Sequence, residues 1–171
     1  MLARLGGKSG GAQIPICRGN FAEVAVGGPF SLVFALVSTF FLLRSRQEQQ
    51  QCFHTVAQEL TGCGVCLLEN YELAMSTACA ADNGCRIYVS EQLIQTAKGP
   101  RTYRARVCYV APHELDKMAK NAGLRLRERW RNWRGEAYAP GDPVHISLYE
   151  HARGLENLVS KGKVGLPRKF Y

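Results

Sequence analysis

Twenty consecutive residues, Val24 to Leu43, carry no charge, with Glu23 before them and Arg44 and Arg46 behind. As an α-helix such a run is about long enough to cross a ~30 Å hydrocarbon layer, which limits what the chain can be more than any other feature in it. Its strongest part, F-S-L-V-F-A-L-V-S-T-F-F-L-L from Phe30, follows Pro29, a residue suited to a first helical turn because its missing N–H goes unused there. Gly27, Gly28 and Pro29 weaken the amino end, and a helix starting only at Pro29 would span about 22 Å. Two readings compete with an anchor. A signal peptide would need an unusually long n-region and has no A-x-A-like site before Arg44. A helix of a soluble core would need a polar face, and the run offers only Ser31, Ser38 and Thr39. The preferred expectation is a transmembrane helix over 24–43.

The remaining organisation is read around that helix. Residues 1–23 form a basic tail with Arg4, Lys8 and Arg18 and no acid before Glu23. Residues 44–51, R-S-R-Q-E-Q-Q-Q, contain good helix formers and read as a polar stalk continuing the anchor. Residues 52–160 make the domain and 161–171 a basic tail broken by Gly and Pro. Within the domain, helices are expected over Phe53–Leu60 and Leu67–Ala81, the second on Leu68, Glu72, Met75 and Cys79 at spacings of 4, 3 and 4. Asp82-Asn83-Gly84 stops it. The pattern then alternates: Arg86–Ile94 and Thr102–Val110 predict a hairpin turning at Lys98-Gly99-Pro100, with Tyr103, Ala105, Val107 and Tyr109 on one face. A long helix is expected over Pro112–Trp133, on Leu115, Ala119, Ala122, Leu126, Trp130 and Trp133. A last one is marked by Val144, Leu148, His151, Leu155 and Leu158.

Six of the seven Cys lie between Cys52 and Cys108. Cys52, Cys63, Cys66, Cys79, Cys85 and Cys108 are disulfide candidates that would staple a domain too small to rely on its core alone. The rival is zinc held by Cys63 and Cys66 with Cys79 and Cys85, although C-x5-C is a poor second half for such a site. A redox-active dithiol at Cys63 and Cys66 is a third reading.

The net charge of +8 is unevenly placed. Residues 1–97 hold 6 Lys+Arg against 7 Asp+Glu, and residues 98–171 hold 16 against 7. Arg125, Arg127, Arg129, Arg131 and Arg134, with Trp130 and Trp133 between and beside them, form the candidate surface for a protein partner or an anionic surface. No G-x-S-x-G, H-E-x-x-H, P-loop or dinucleotide fingerprint occurs.

These observations predict an α+β fold, mainly helical: a single N-terminal transmembrane helix followed by a small cysteine-stapled domain with a β-hairpin and two to four helices. The expected role is a non-catalytic, membrane-anchored accessory or assembly subunit of a membrane protein complex, docking through the Arg/Trp helix and tail. The alternative is a zinc-dependent nucleic-acid-binding protein. Catalytic residues, a cofactor and a small-molecule substrate are not expected. Membrane lipids and protein partners are, and nucleic acid is not expected if the cysteines are oxidised. The cysteine domain would face an oxidising compartment: the mitochondrial intermembrane space, periplasm, secretory lumen or cell exterior.

Overall fold

The uncharged run is broken into three pieces. In the computed structural model, which describes residues 2–72, 80–82, 85–96 and 99–152, Phe30–Ala35 is a strand (β1) and Thr39–Leu42 a short 3-10 turn. Between them Val37 and Ser38 adopt left-handed φ values of 54° and 55°, which no α-helix tolerates. Short apolar runs suit a strand buried on both faces as well as they suit a helix. Here tertiary pairing decides: β1 lies parallel to Leu60–Tyr71 (β2), and Phe40 and Phe41 turn into the core. No helix among the described residues is long and apolar enough to cross a membrane. The expected anchor is therefore corrected to a strand, a turn and a core-forming 3-10 segment.

After a five-residue helix at Leu2–Gly6 (α1), the main helix is Arg46–Glu59 (α2). Ser45 caps it, its Oγ accepting from the Glu48 amide at 3.1 Å. The segment expected as a stalk is thus the first turns of a domain helix, and it is held from inside: Gln49 is fully buried and donates from Nε2 to the Cys108 carbonyl at 2.8 Å. α2 is the crossover that a parallel β1–β2 pair requires.

Two sheets follow. The larger has the order β1-β2-β7-β6, where β6 is Leu124–Trp130 and β7 is Val144–His151, both antiparallel to their neighbours. The smaller contains β3 (Ala80–Asp82), β4 (Cys85–Thr96) and β5 (Gly99–Tyr109). β4 and β5 form an antiparallel hairpin, with Thr96 opposite Gly99 at its turn. A third helix, α3 (Pro112–Asn121), leads into β6.

Three expected helices are corrected in the same way. Residues 67–71 belong to β2, where Cys66, Leu68 and Asn70 alternate as buried positions; residues 73–79 lie outside the described residues. The helix expected to reach Trp133 ends at Asn121, where Gly123 with φ 80° turns the chain. The sequence L-R-L-R-E-R-W then alternates as β6. The helix expected from Val144 is β7, with His145, Ser147 and Tyr149 on one face, all fully buried; its remainder from residue 153 and the basic tail 161–171 lie outside the described residues. In each case pairing with a central strand overrides a 3.6-residue reading of the apolar positions.

The core lies between the large sheet and α2 and α3. It gathers Phe40, Phe53, Cys66, Leu68, Leu115 and Tyr149 with their neighbours. Phe53 meets Phe40 at a centroid distance of 5.3 Å and Tyr149 edge-on at 5.5 Å. The domain is not stapled as expected. One disulfide joins Cys85 to Cys108 across the β4–β5 ladder; Cys52, Cys63 and Cys66 are free thiols, and Cys79 is outside the described residues.

Candidate functional site

A one-residue slip in β6 sets up the polar part of the molecule. Leu126 pairs with Tyr149, yet Glu128 pairs with Leu148, so the ladder bulges at Arg127. A bulge exchanges the faces of the residues beyond it. Leu124 and Leu126 therefore point into the core while Arg129 takes the same face two turns of the pleat later. Its guanidinium donates to Asp116 at 2.6 and 3.2 Å, to Ser147 Oγ at 2.8 Å and to Tyr149 Oη at 3.1 Å. Tyr149 Oη in turn donates to Asp116 at 2.9 Å. Burial opposes the charge on Arg129, but these partners hold its pKa above the ordinary guanidinium value. Burial, with the Asp116 charge, likewise raises the Tyr149 phenol. Arg129→Met should cost about 3 kcal/mol, because it removes the cation paired with Asp116, which keeps only the Tyr149 phenol as a donor, together with the donor to Ser147. Asp116 keeps some solvent, which places the figure at the low end for a buried pair; urea unfolding measures it.

Next to this network, at the carboxyl ends of β1 and β2, is a second polar cluster. Glu72 accepts from Tyr109 Oη at 2.6 Å and from Tyr138 Oη at 3.3 Å. Its own amide donates to the Pro143 carbonyl at 2.9 Å. His145 Nε2 lies 3.9 Å from Glu72 Oε1, and the Tyr138 and His145 rings meet edge-on at 5.9 Å. Asn70 pairs with His145 across the β2–β7 ladder and lies two residues before Glu72 on the same face. Asn70 is fully buried, and neither atom of its amide finds a hydrogen-bond partner among the described residues; the same is true of His145 Nε2. Each such group costs about 1–3 kcal/mol, so this cluster carries hydrogen-bonding capacity that the described residues leave unmet.

The cluster's titration behaviour follows from its burial. Burial, then the Glu72 carboxylate, raises the Tyr109 and Tyr138 phenols, so both remain donors to it. Burial lowers the His145 imidazole to about 4, and the Arg129 guanidinium acts in the same direction. His145 is therefore neutral at neutral pH. Below the unfolded value of about 6.5 the unfolded chain takes up a proton that the folded chain refuses. This contribution to stability is complete above that pH and falls by on the order of 3 kcal/mol as the pH drops to about 4. Urea unfolding across that range should show the slope in the wild type and its loss in His145→Gln.

The turn after β1 borders this region. Glu69 Oε2 accepts from the Val37 amide at 3.0 Å, Ser38 N donates to the Glu69 carbonyl at 2.9 Å, and Ser38 Oγ accepts from Tyr71 N at 2.9 Å. A left-handed β-branched residue costs about 1–3 kcal/mol, and Glu69 is what holds Val37 there. On the other side, along β1, runs an apolar groove of about 620 Å³ lined by Phe21, Phe34, Leu36, Phe40 and Glu59 among others.

The residues expected to bind partners are mostly engaged within the fold. Arg125 pairs with Glu150, Arg127 lies 3.7 Å from both Glu128 and Glu150, Arg129 is described above, and Arg131 pairs with Glu136. Trp130 Nε1 donates to Glu128 at 2.9 Å and Trp133 Nε1 to Glu69 at 2.8 Å. Arg134 lies in the turn after β6, where its amide donates to Asn132 Oδ1 at 3.0 Å and its charge helps hold the Glu136 carboxyl below the usual range, after that of Arg131. They do not form one basic helical face. The expected zinc set also comes apart. Cys63 is exposed and Cys66 buried, as positions three apart on a strand must face opposite ways. Cys85 is in the disulfide, and the described residues contain no group of metal-ligating side chains. Asn70, Glu72, Tyr109, Tyr138 and His145 as a site were missed. The available signal was polar residues at every second position in V-H-I-S-L-Y, a central strand whose face would ordinarily be apolar.

A mixed sheet with helices packed against it and a polar cluster beyond the carboxyl ends of β1 and β2 defines an α/β fold. Among solved structures, this fold is that of SAM-dependent methyltransferases. The chain is similar to the CcbJ methyltransferase of Streptomyces caelestis, with a TM-score of 0.72 and 23% identity, over 88% of this chain and 73% of that one. It is also similar to a SAM-dependent methyltransferase of Clostridium acetobutylicum (TM-score 0.62, 10% identity, 80% of this chain, 63% of that one). A third is the glycopeptide N-methyltransferase MtfA complexed with SAM (TM-score 0.60, 13% identity, 87% of this chain, 66% of that one). No family model and no curated protein sequence matches the chain. The likeness establishes the fold, and the chain spans between 63% and 73% of the lengths of these three.

This finding overturns the expected non-catalytic accessory or assembly subunit and the zinc-dependent nucleic-acid binder. The proteins that share the fold are enzymes, and MtfA is known with SAM, with sinefungin and with SAH. The exclusion of an enzyme and of a small-molecule ligand is corrected with it. The single-pass membrane placement has no spanning helix among the described residues to support it.

Whether the described residues fit SAM is a separate matter. That molecule carries a sulfonium, two ribose hydroxyls, an adenine edge and a charged amino-acid end. The groove along β1 presents an apolar wall; one oxygen of its Glu59 carboxylate accepts from the Gly28 amide at 2.6 Å, and the Thr39 and Thr55 hydroxyls donate to the Leu36 and Ala22 carbonyls. The groove suits an apolar or aromatic surface and does not by itself fit the cofactor's polar groups.

Proposed function

We propose that this chain forms the acceptor-holding part of a SAM-dependent methyltransferase acting on a small molecule. The observation that carries this reading is the Glu72 cluster at the carboxyl ends of the strands, where α/β sheets place ligands, in a fold shared with methyltransferases. A methyl acceptor must present a lone pair and shed a proton. The Glu72 carboxylate already accepts from two phenols, and a carboxylate oxygen has room for a further donor, so it orients an amine or hydroxyl by taking its N–H or O–H. Tyr109 and Tyr138 fix the carboxylate by donating to it, and Asn70 and neutral His145 offer further donors and acceptors to the same ligand. Arg129 and Asp116 keep the β7 face in place behind them.

The test is ligand-observed NMR of the chain with a panel of small amines and alcohols. Binding to the wild type that is lost in Glu72→Gln supports the reading. Absence of binding by every member, or binding that Glu72→Gln leaves unchanged, overturns it. Tyr109→Phe should weaken binding by about three- to tenfold, the loss of one hydrogen bond to a charged group offset in part by solvent.

A further inference from the structure

Glu69 of β2 and Glu72 just beyond its end point to opposite faces of the large sheet. The connection from β6 to β7 reaches both: its Tyr138 Oη donates to Glu72 at 3.3 Å and its Trp133 Nε1 to Glu69 at 2.8 Å. Trp133 sits in a tight turn that fixes its position. The Arg131 amide donates to the Glu136 carbonyl at 2.8 Å, the Gly135 amide to the Asn132 carbonyl at 3.2 Å, and the Arg131 guanidinium pairs with the Glu136 carboxylate. Glu69 holds a second exposed group, since its Oε2 accepts from the amide of left-handed Val37. Tyr71, two residues on from Glu69 along the same face, is tied to that turn by its own amide, which donates to Ser38 Oγ. Trp133, Val37 and Tyr71 are 57%, 64% and 43% exposed, so the fold fixes all three without using them in its core.

We infer that Trp133, with Val37 and Tyr71 beside it, is the subsite for a planar aromatic ring carried by the methyl acceptor whose amine or hydroxyl Glu72 takes. The inference rests on the acceptor site proposed above and names the class of molecule that fills it. Three observations select an aromatic ring. The one polar atom of the indole is turned onto Glu69, which leaves the ring itself as the surface offered to a ligand, and aromatic rings gain from stacked or edge-on contact with one another. Val37 places an isopropyl group where glycine would be free of strain, so an apolar side chain is kept at that exposed turn against its backbone preference, as happens at ligand sites. Finally, the carboxylate that fixes this platform is three residues from the one that takes the polar group, a separation of about 10 Å along an extended chain. A ring on a short alkyl chain covers that span, and Glu72 is open to it, with 22% of its side chain exposed.

The experiment titrates the full chain calorimetrically with phenylalkylamines of increasing chain length, with the ring-free alkylamines of the same lengths, and with cyclohexylalkylamines. The phenyl ring should tighten binding by about tenfold at the best chain length. Trp133→Ala should remove that gain while leaving the affinity for ring-free amines within about twofold, and Trp133→Phe, which keeps an aromatic face, should retain part of it. In a Trp130→Phe background the phenylalkylamine should also change the emission of Trp133, which a Trp that only pins the turn would not show. A phenyl ring that adds nothing, or a gain that survives Trp133→Ala, overturns the inference. So does an equal gain from the cyclohexyl analogue, since the subsite then reads bulk and not an aromatic ring. Failure of the Glu72 reading is a different result. A ring gain that Trp133→Ala abolishes, in amines whose binding Glu72→Gln leaves unchanged, keeps the aromatic subsite and removes the acceptor site. Ring-free binding that is lost in Glu72→Gln, with no ring gain in the wild type, does the reverse.

Discussion

Glu72→Gln should lower affinity for a small amine or alcohol by about 10- to 100-fold, the loss of a hydrogen bond to a charged group worth about 1.5–3 kcal/mol. The substitution keeps the shape and leaves an amide oxygen for one of the two phenols, while the other can accept from the new amide N–H, so the fold should lose little stability. It removes the charge and one of the two acceptor oxygens. A second readout separates this from a structural role. The Glu72 carboxylate contributes to raising both phenols, so the phenolate absorbance of the Gln variant should develop at lower pH than in the wild type. An affinity loss without that shift would mean that the carboxylate does not hold the tyrosines as described.

Phe53→Ala should be the most destabilising single core change, at about 3–5 kcal/mol. Phe53 is 1% exposed and sits between Phe40, from the segment after β1, and Tyr149, at the centre of the sheet. No neighbour can relax into the space without giving up its ring contact, because Phe40 is fixed by the 3-10 turn and Tyr149 by Asp116 and Arg129. Denaturant unfolding measures the loss. A cost below about 1 kcal/mol would show that the site collapses and that the aromatic trio does not hold α2 to the sheet. Because Tyr149 belongs to the Arg129 network, Phe53→Ala and Arg129→Met should be non-additive when combined.

The α/β order of the fold was hard to read because its strands carry helical and strand signals together. Phe30–Leu43 is apolar but for Ser31, Ser38 and Thr39, which mark no regular period. Only its length and flanks were available, and these are shared by a membrane span and a buried parallel strand with the turn behind it. β6 was hidden differently: Leu126, Trp130 and Trp133 fall at helical spacings even though L-R-L-R-E-R-W alternates, and the bulge at Arg127 moves Arg129 inward, where no pattern places a charge. The β4–β5 hairpin was legible because local signals agree there. Alternation, β-branched and aromatic residues, and Gly99-Pro100 at the turn all point the same way, and its pairing partner is its neighbour in the chain. The pocket was illegible for the opposite reason. Glu72, Tyr109, Tyr138 and His145 come from four separate stretches, and no spacing connects them.

By itself the sequence determined what local energetics decide: the hairpin, the α3 start at Pro112 and the basic excess beyond residue 98. Tertiary structure alone decided the rest. A strand acquires its identity from the partner that satisfies its backbone groups, so β1, β2 and β7 could be assigned only once they were paired. The same pairing, with one bulge, turned an apparent basic docking helix into a strand whose arginines form ion pairs, Arg129 among them half-buried. It also brought a carboxylate, two phenols, an imidazole and an unpartnered amide to one end of the sheet.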